Sequence, residues 1–132
     1  MYIDIVTGPS VDVFPIAPLQ TNTGILGVPI EVASHQVQFW GYRFHNANAA
    51  AAFVSVFFLP GASVTMGTTP PGMTIKVGDG GTVTLTAYDM FEHPIQKGTG
   101  LSFTASDEED GTTAVSTAVT GYVIFKDIQV HN

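Results

Sequence analysis

The sequence contains no cysteine and has few charged residues. The absence of cysteine excludes disulfides, thiolate metal ligands and cysteine nucleophiles together. Charged residues make up 11% of the chain, about half the share usual in soluble domains, whereas hydrophobic residues make up 45%. Threonine, serine, alanine and glycine must therefore form much of the exterior. Such an exterior suits a protein whose faces are partly covered by neighbours better than it suits a freely diffusing enzyme.

Basic residues are especially scarce, with four against eleven acidic ones and a net charge of −7. They are scattered singly along the chain, as Arg43, Lys76, Lys97 and Lys126. A nucleic-acid site needs clustered lysine and arginine to displace counterions from phosphates. We therefore expect no nucleic-acid partner.

No stretch has the pattern of a targeting or membrane segment. The N-terminal "MYIDIVTGPS" lacks a basic region and a long apolar core, so it does not predict a secretory signal, and synthesis inside the cell is expected. The apolar run 47–59 is too short for a membrane span, which needs about 20 residues. Its second half, "FVSVFFL", predicts a strand with apolar side chains on both faces. The second face needs a cover, which can be the partner sheet, a loop or another subunit.

Short apolar runs separated by turn residues predict an all-β domain without stable helices. Eight strands are expected, and they predict an antiparallel sandwich of two sheets. The runs cover residues 27–32, 35–44, 52–59, 63–67, 73–77, 82–89, 101–106 and 121–130. In the second run the apolar alternation changes phase near Gly41, which predicts a bulge or a close backbone approach there.

The first thirty residues contain prolines at positions 9, 15, 18 and 29, which leave no room for a helix or a central strand. We predict an extended N-terminal arm over residues 1–24 and a sandwich domain over residues 25–132. The arm carries apolar residues that an isolated segment would expose to water: Val11, Val13, Phe14, Ile16 and Leu19. It must therefore dock, either as an edge strand on its own domain or across a neighbouring copy.

Alternation places Trp40, Tyr42 and Phe44 together on one strand face. The first interpretation is that these rings build core. The alternatives are a protein interface and a stripe on which sugar rings stack.

No group of residues predicts catalysis, and the chain is not expected to be an enzyme. The histidines lack the spacing of a metal pair and are interpreted as surface or turn residues: His35, His45, His93 and His131. Asp89 and Glu92 have no nucleophile or oxyanion-stabilising group beside them and are interpreted as loop residues. No cofactor and no metal is expected.

The acidic run "SDEEDG" is the densest charge in the chain. It lacks the alternating ligands and the closing glutamate of a calcium loop. The first interpretation is a solvated loop between two strands. A weak cation site on Asp107 to Asp110 is the alternative.

The stretch "VQFWGYRFHNANAAAAFVSVFFLPGASVTMGTTPPGMTIKVGDGGTV", followed by "PIQKGTGLSFTASDEEDGTTAVSTAVTGYVIF", resembles a family of small virion proteins of tailed bacteriophages, the capsid decoration or cement proteins. The resemblance covers roughly residues 36–125. It is carried by Asn46 and Asn48, by "GTTP" at 67–70, by Gly80 and Gly81, and by "GLS" at 100–102. The acidic "DEED" and the proline-rich arm depart from the family pattern.

The resemblance implies a jelly-roll-like sandwich that binds the outside of a phage head and stabilises the shell. It implies the major capsid protein as partner, clustering as homotrimers, and a location on the outer surface of the virion head after synthesis in the host cytoplasm. It supplies no catalytic residues. Under this hypothesis the arm from Val11 to Leu19 lies across a neighbour, and Trp40 and Tyr42 are further candidate interface residues.

Two other classes of function remain open at this stage. A phage tail, neck or fibre module would use the same architecture to bind a host-surface glycan or another tail protein. A small hydrolase or lyase on a jelly roll is the third class. Head and tail positions favour the same compact, charge-poor β architecture, so composition does not separate them.

Overall fold

A computed structural model describes residues 12–16, 29–85, 94–109 and 113–127. Its strands are β1 (Asp12–Ile16), β2 (Ile30–Ala33), β3 (Val37–His45), β4 (Ala52–Phe57), β5 (Met73–Val77), β6 (Thr82–Leu85), β7 (Leu101–Ser106) and β8 (Thr120–Asp127). One 3-10 turn, Gly61–Ser63, is the only helical element in these ranges. None of the described residues belongs to a helix long and apolar enough to cross a membrane.

The strands pair in a nested order, β1 with β8, β2 with β7, β3 with β6 and β4 with β5, always antiparallel. The pairs of β3 with β8 and of β4 with β7 complete two four-stranded sheets. We call β1-β8-β3-β6 the first sheet and β2-β7-β4-β5 the second sheet. Eight strands wound into two sheets in this way form a jelly roll. The predicted all-β antiparallel sandwich is confirmed.

Most predicted strands are present, but the one at 63–67 is wrong. The amides of Thr68 and Thr69 donate to the carbonyl of Thr65 (3.0 and 2.9 Å), and the amide of Thr65 donates to the hydroxyl of Thr69 (2.8 Å). These backbone groups are satisfied within a local turn and are not available to a sheet ladder. The predicted continuations at 86–89 and 128–130 lie outside the described residues.

The core lies between the two sheets. Phe39 and Phe44 of β3 meet Phe103 of β7 edge to face, with ring centroids 6.0 and 5.8 Å apart. Val54 and Val56 of β4 are fully buried in the same cluster. Burying each such side chain contributes roughly 1.5–3 kcal/mol, so this layer holds the sheets face to face.

The outer face of β4 is also covered, as its sequence predicted. Phe57 points away from the main core, yet only 3% of it is exposed. Val64 and Met66, in the connection between β4 and β5, are likewise buried outside the main core. Apolar side chains on the outer face of the second sheet therefore have a cover within the chain.

Two hydrogen bonds fix this connection over the second sheet. The Ser102 hydroxyl of β7 donates to the carbonyl of Leu59 (2.8 Å), and the amide of Gly61 donates to Oε1 of Glu31 on β2 (2.8 Å). Ser102 is in register with Phe57, so these bonds place the connection on the face that carries Phe57, and a loop is the cover that they support. Phe53, at the other end of the same face, is half-buried.

Candidate functional site: the outer face of the first sheet

The arm residues that the sequence singled out follow β8 as far as the structure describes them. Val13, Phe14 and Ile16 belong to β1, in register with Ile124, Val123 and Gly121 of β8. The strand thus pairs within its own chain, as in the first of the two docking modes. Val11 and Leu19 lie outside the described residues, and the domain division after residue 24 stays a prediction.

The bulge predicted near Gly41 is confirmed. Phe39 is in register with Phe125 of β8 and Gly41 is in register with Ile124, so Trp40 is the extra residue of β3. An extra residue shifts the alternation of side chains by one position. The strand can therefore keep apolar side chains on the core side both before and after the bulge.

The bulge separates the aromatic residues that the sequence placed on one face. Tyr42 packs against the core and stacks on Phe39 and Phe44, with ring centroids 6.1 and 5.0 Å away. Trp40 is outside the core cluster, and its indole N–H donates to Oε1 of Gln38 (3.3 Å). The predicted common face is therefore wrong for Trp40, which is nevertheless buried, and Tyr42 and Phe44 pack in or against the main core as the core interpretation expects.

None of these rings forms an open stripe. Phe44 is fully buried and Trp40 is 3% exposed. Tyr42 is half-buried, and burial raises the pKa of its phenol. Stacking on a sugar needs an accessible ring face, which Trp40 and Phe44 do not offer.

The outer face of the first sheet carries two of the four basic residues. Arg43 is in register with Tyr122 of β8, and Gln38 is in register with Lys126. Directly paired residues share a face, and alternation along β8 adds Ile124 to it. Arg43 is exposed, while Tyr122, Ile124 and Lys126 are half-buried. We call these four residues the basic face.

The cations of the basic face are unpaired within the described part of the chain. The contact with ion-pair geometry found there is between His35 and Asp127 (3.0 Å). Neither Arg43 nor Lys126 takes part in an ion pair among the described residues. Lys76 and Lys97 take part in no ion pair among the described residues either, so the distinctive feature of this face is that it brings two such cations together.

One end of the sandwich is built around a buried asparagine. Asn46 is fully buried, and its amide nitrogen donates to the carbonyls of Ala50 (2.9 Å), Val77 (3.1 Å) and Gly78 (3.2 Å). Its backbone amide donates to the carbonyl of Gly81 (2.9 Å). The connection after β3 is thereby tied to the turn between β5 and β6.

Asn48 extends this tie to a third connection. Its amide nitrogen donates to the carbonyl of Thr117 (2.8 Å), and its amide oxygen accepts from the amide of Thr117 (2.8 Å) and the hydroxyl of Ser116 (3.1 Å). Residues 116–117 lie between β7 and β8. A single network therefore holds the three connections at this end in fixed relation.

The same end collects exposed carboxylates. Asp79 lies in the turn between β5 and β6, and Asp107, Glu108 and Glu109 follow β7. We call these four residues the acidic end. No group of three or more histidine, aspartate or glutamate side chains in the described ranges is arranged to hold a metal ion. Asp110, part of the alternative cation site, lies outside those ranges.

The histidines that are described lie apart. His35 precedes β3 and contacts Asp127, whereas Nδ1 of His45, the last residue of β3, lies 2.8 Å from the hydroxyl of Thr82. The other two histidines, with Asp89 and Glu92, are outside the described residues. In the described ranges no histidine is brought beside a second one, and the hydroxyl beside His45 is that of the exposed Thr82.

Sequence reasoning missed two arrangements. The first is the asparagine network, because nothing in the spacing of Asn46 and Asn48 signals that Asn46 is buried with three carbonyl partners. Arg43 and Lys126 were counted as scattered singly, because their shared face depends on pairing between two strands far apart in sequence.

Comparison with known proteins adds no relative. No family model matches the chain, no curated protein matches it, and no solved structure matches it.

Proposed function

We propose that the protein is a structural virion protein, a capsid decoration or cement protein that binds the outside of a phage head and stabilises the shell. The observation that carries the proposal is the nested strand pairing of the jelly roll. This architecture recurs in viral capsid domains. A fold does not by itself determine function, so the proposal also depends on the surfaces with which the chain would contact other proteins.

The residues behind the family resemblance support the proposal by their structural roles. Asn46 and Asn48 tie three connections together, and Gly80 occupies a positive-φ position in the turn before β6 (φ +64°). Ser102 fixes the loop that covers the second sheet. The motif is thus made of residues that shape the connections of this fold, as expected if the resemblance is one of architecture.

The charge-poor surface fits the same function. A cement protein strengthens a shell by burying surface on two or more capsid subunits at once, and each Å² of apolar area is worth about 25 cal/mol before association costs. Repeated placement over a shell then turns modest single contacts into strong overall attachment. Only 11% of the residues are charged, so few charges would need to be desolvated in such contacts.

Location tests the proposal directly. Immunogold electron microscopy of purified particles, with an antibody raised against this chain, is expected to label the whole head shell. Label confined to the neck or the tail tip would contradict a decoration role and favour a tail module that binds another tail protein. Particles without label on any part would contradict a virion role altogether.

Attachment through the N-terminal arm is part of the proposal and needs its own variant. Removing residues 1–20 would also remove β1, which is the partner of β8 in the first sheet. Removing residues 1–11 keeps that strand. We expect this shorter deletion to leave the protein folded and to lower the number of copies bound to isolated head shells.

A chain with residues 1–11 replaced by glycine and serine at equal length is the matched control. If the arm binds through its side chains, this chain should decorate as poorly as the deletion. Full occupancy with both variants would rule out the contribution of residues 1–11. Circular dichroism of each variant checks that the sandwich is intact.

A further inference from the structure

We propose that the basic face of one copy binds the acidic end of a second copy of this chain. The inference deepens the proposed function, because it names the surfaces through which neighbouring decoration proteins contact each other. The contact joins two different surfaces, so it is heterologous and either closes into a ring or continues as a chain of copies.

The basic face is the positive region that the described structure offers for such a contact. Of the other basic residues, Lys97 lies over the ring of Phe58, with its ammonium 5.0 Å from the centroid. Lys76 lies on the second sheet, in register with Phe53. Arg43 and Lys126 alone share a face, and no described carboxylate is paired with either of them.

The composition of the basic face resembles that of binding hot spots. Tyr122 lies opposite Arg43, and Ile124 lies between Tyr122 and Lys126 on the same face of β8. Both are half-buried, so part of their surface is still accessible and would be buried in a contact. Tyrosine and arginine are enriched among residues that dominate binding energy. An arginine can also hold a carboxylate through two parallel hydrogen bonds, which adds direction to the attraction.

The acidic end is suited to be the other half because its position is fixed. The amide of Asp107 donates to the carbonyl of Thr113 (2.9 Å), and the amide of Gly80, next to Asp79, donates to the carbonyl of Asn48 (3.2 Å). A surface held in place before binding loses less conformational entropy on contact. Asp107 and Glu109 are exposed there and free to meet a cation.

Charge selects this orientation over the others. Two copies with a net charge of −7 each repel one another, so most approaches bring like charges together. The approach that sets the acidic end against the basic face is attractive. Electrostatic complementarity of this kind determines orientation and partner choice more than it determines affinity.

Sedimentation velocity of the isolated full-length protein tests the inference. The wild type is expected to assemble at about 0.1 M salt, where a Debye length of about 10 Å screens the net repulsion between copies more than it screens charge pairs in contact, and to dissociate at about 1 M salt. A face variant, Arg43→Glu with Lys126→Glu, should raise the dissociation constant at least about tenfold. A loop variant, Asp107→Lys with Glu109→Lys, should do the same.

Mixing the two variants separates a specific contact from a general charge effect. The face variant keeps the acidic end and the loop variant keeps the basic face, so an equimolar mixture should assemble again. The control is Lys76→Glu with Lys97→Glu, which changes net charge as much as the face variant but leaves the basic face intact. We expect this control to assemble better than the face variant.

Three results would overturn the inference: a wild type that is monomeric at about 0.1 M salt, a mixture that fails to assemble, or a control as impaired as the face variant. Circular dichroism confirms folding, and the milder Arg43→Gln and Glu109→Gln serve if a double variant fails to fold. The experiment contains no capsid. Absence of self-association would therefore not contradict a position on the head, and labelling of the tail would not contradict the contact between copies.

Discussion

The side-chain nitrogen of Asn48 donates to the side-chain oxygen of Asn46 across 2.7 Å, and the backbone amide of Asn48 donates to the same oxygen across 2.9 Å. The oxygen of Asn46 therefore receives two hydrogen bonds while its nitrogen faces three carbonyls. An asparagine that is fully buried is favourable only when its polar groups are satisfied. This pair meets that condition and joins three connections that are distant in sequence.

Replacing Asn46 by alanine should therefore be costly. The Asn46→Ala change leaves the carbonyl of Val77 and the amide of Asn48 without this partner in a buried place. The expected loss is about 3 kcal/mol of unfolding free energy, since several buried groups lose their hydrogen bonds together. Urea denaturation followed by circular dichroism measures it.

Ala49→Ser, at an exposed position in the same connection, is the matched control and should change stability by less than about 0.5 kcal/mol. If Asn46→Ala were as stable as this control, the asparagine network would not hold the end of the sandwich together.

Gly121 is expected to tolerate no side chain. It lies in β8 opposite Phe44 with φ +147°, and a Cβ there would overlap the carbonyl oxygen of Arg43. Gly121→Ala would push β3 and β8 apart and strain the backbone, at a cost of about 3 kcal/mol or more. Thermal and urea unfolding of the variant test this expectation.

Gly80→Ala provides the comparison for that variant. Gly80 also has positive φ (+64°), but a Cβ there would meet nothing within 4 Å. Gly80→Ala should therefore lower the free energy of unfolding by only about 1 kcal/mol, the conformational strain of an alanine at positive φ. Similar losses for the two glycine variants would mean that close approach of the strands does not limit Gly121.

The two phenylalanines on the outer face of β4 should differ in their contribution to stability. Phe57 is 3% exposed under the connection between β4 and β5, whereas Phe53 is half-buried. Phe57→Ala should cost about 3–5 kcal/mol, because truncation leaves a cavity. Phe53→Ala should cost about 1–2 kcal/mol, since less apolar surface is withdrawn from water. Equal losses in urea denaturation would show that this connection does not seal the outer face.

The strands could be predicted where turn residues bound them on both sides. Residues 73–77 lie between "PPG" and "GDGG", and their predicted bounds match β5. The false strand at 63–67 arose from real alternation, since Val64 and Met66 are buried and Thr65 is exposed. A loop lying on a sheet can bury every second side chain as a strand does, and sequence alternation alone does not separate the two.

The candidate site was less accessible to sequence reasoning than the fold. The phase change near Gly41 signalled a bulge but not which residue is the extra one, and that choice decides which side of the sheet Trp40 occupies. The basic face depends on register between β3 and β8, which are far apart in the chain. Local patterns predict single elements, whereas the faces that such elements build together depend on long-range pairing.

Burial of Tyr42 predicts that the stability of the folded protein falls with rising pH above about pH 10. Its pKa is raised above the usual value of about 10, because burial disfavours the charged phenolate. Between the usual pKa and the raised one, the unfolded chain has largely lost this proton while the folded chain retains it. The folded state then binds more protons than the unfolded state, so stability falls as pH rises.

Tyr42→Phe removes this proton while keeping the ring that stacks on Phe39 and Phe44. We expect the free energy of unfolding of the variant to fall less steeply than that of the wild type above about pH 10, with similar values near neutrality. Urea denaturation at a series of pH values measures both curves. Parallel curves above pH 10 would contradict the prediction, because they would mean that this phenol ionises as readily in the folded protein as in the unfolded chain.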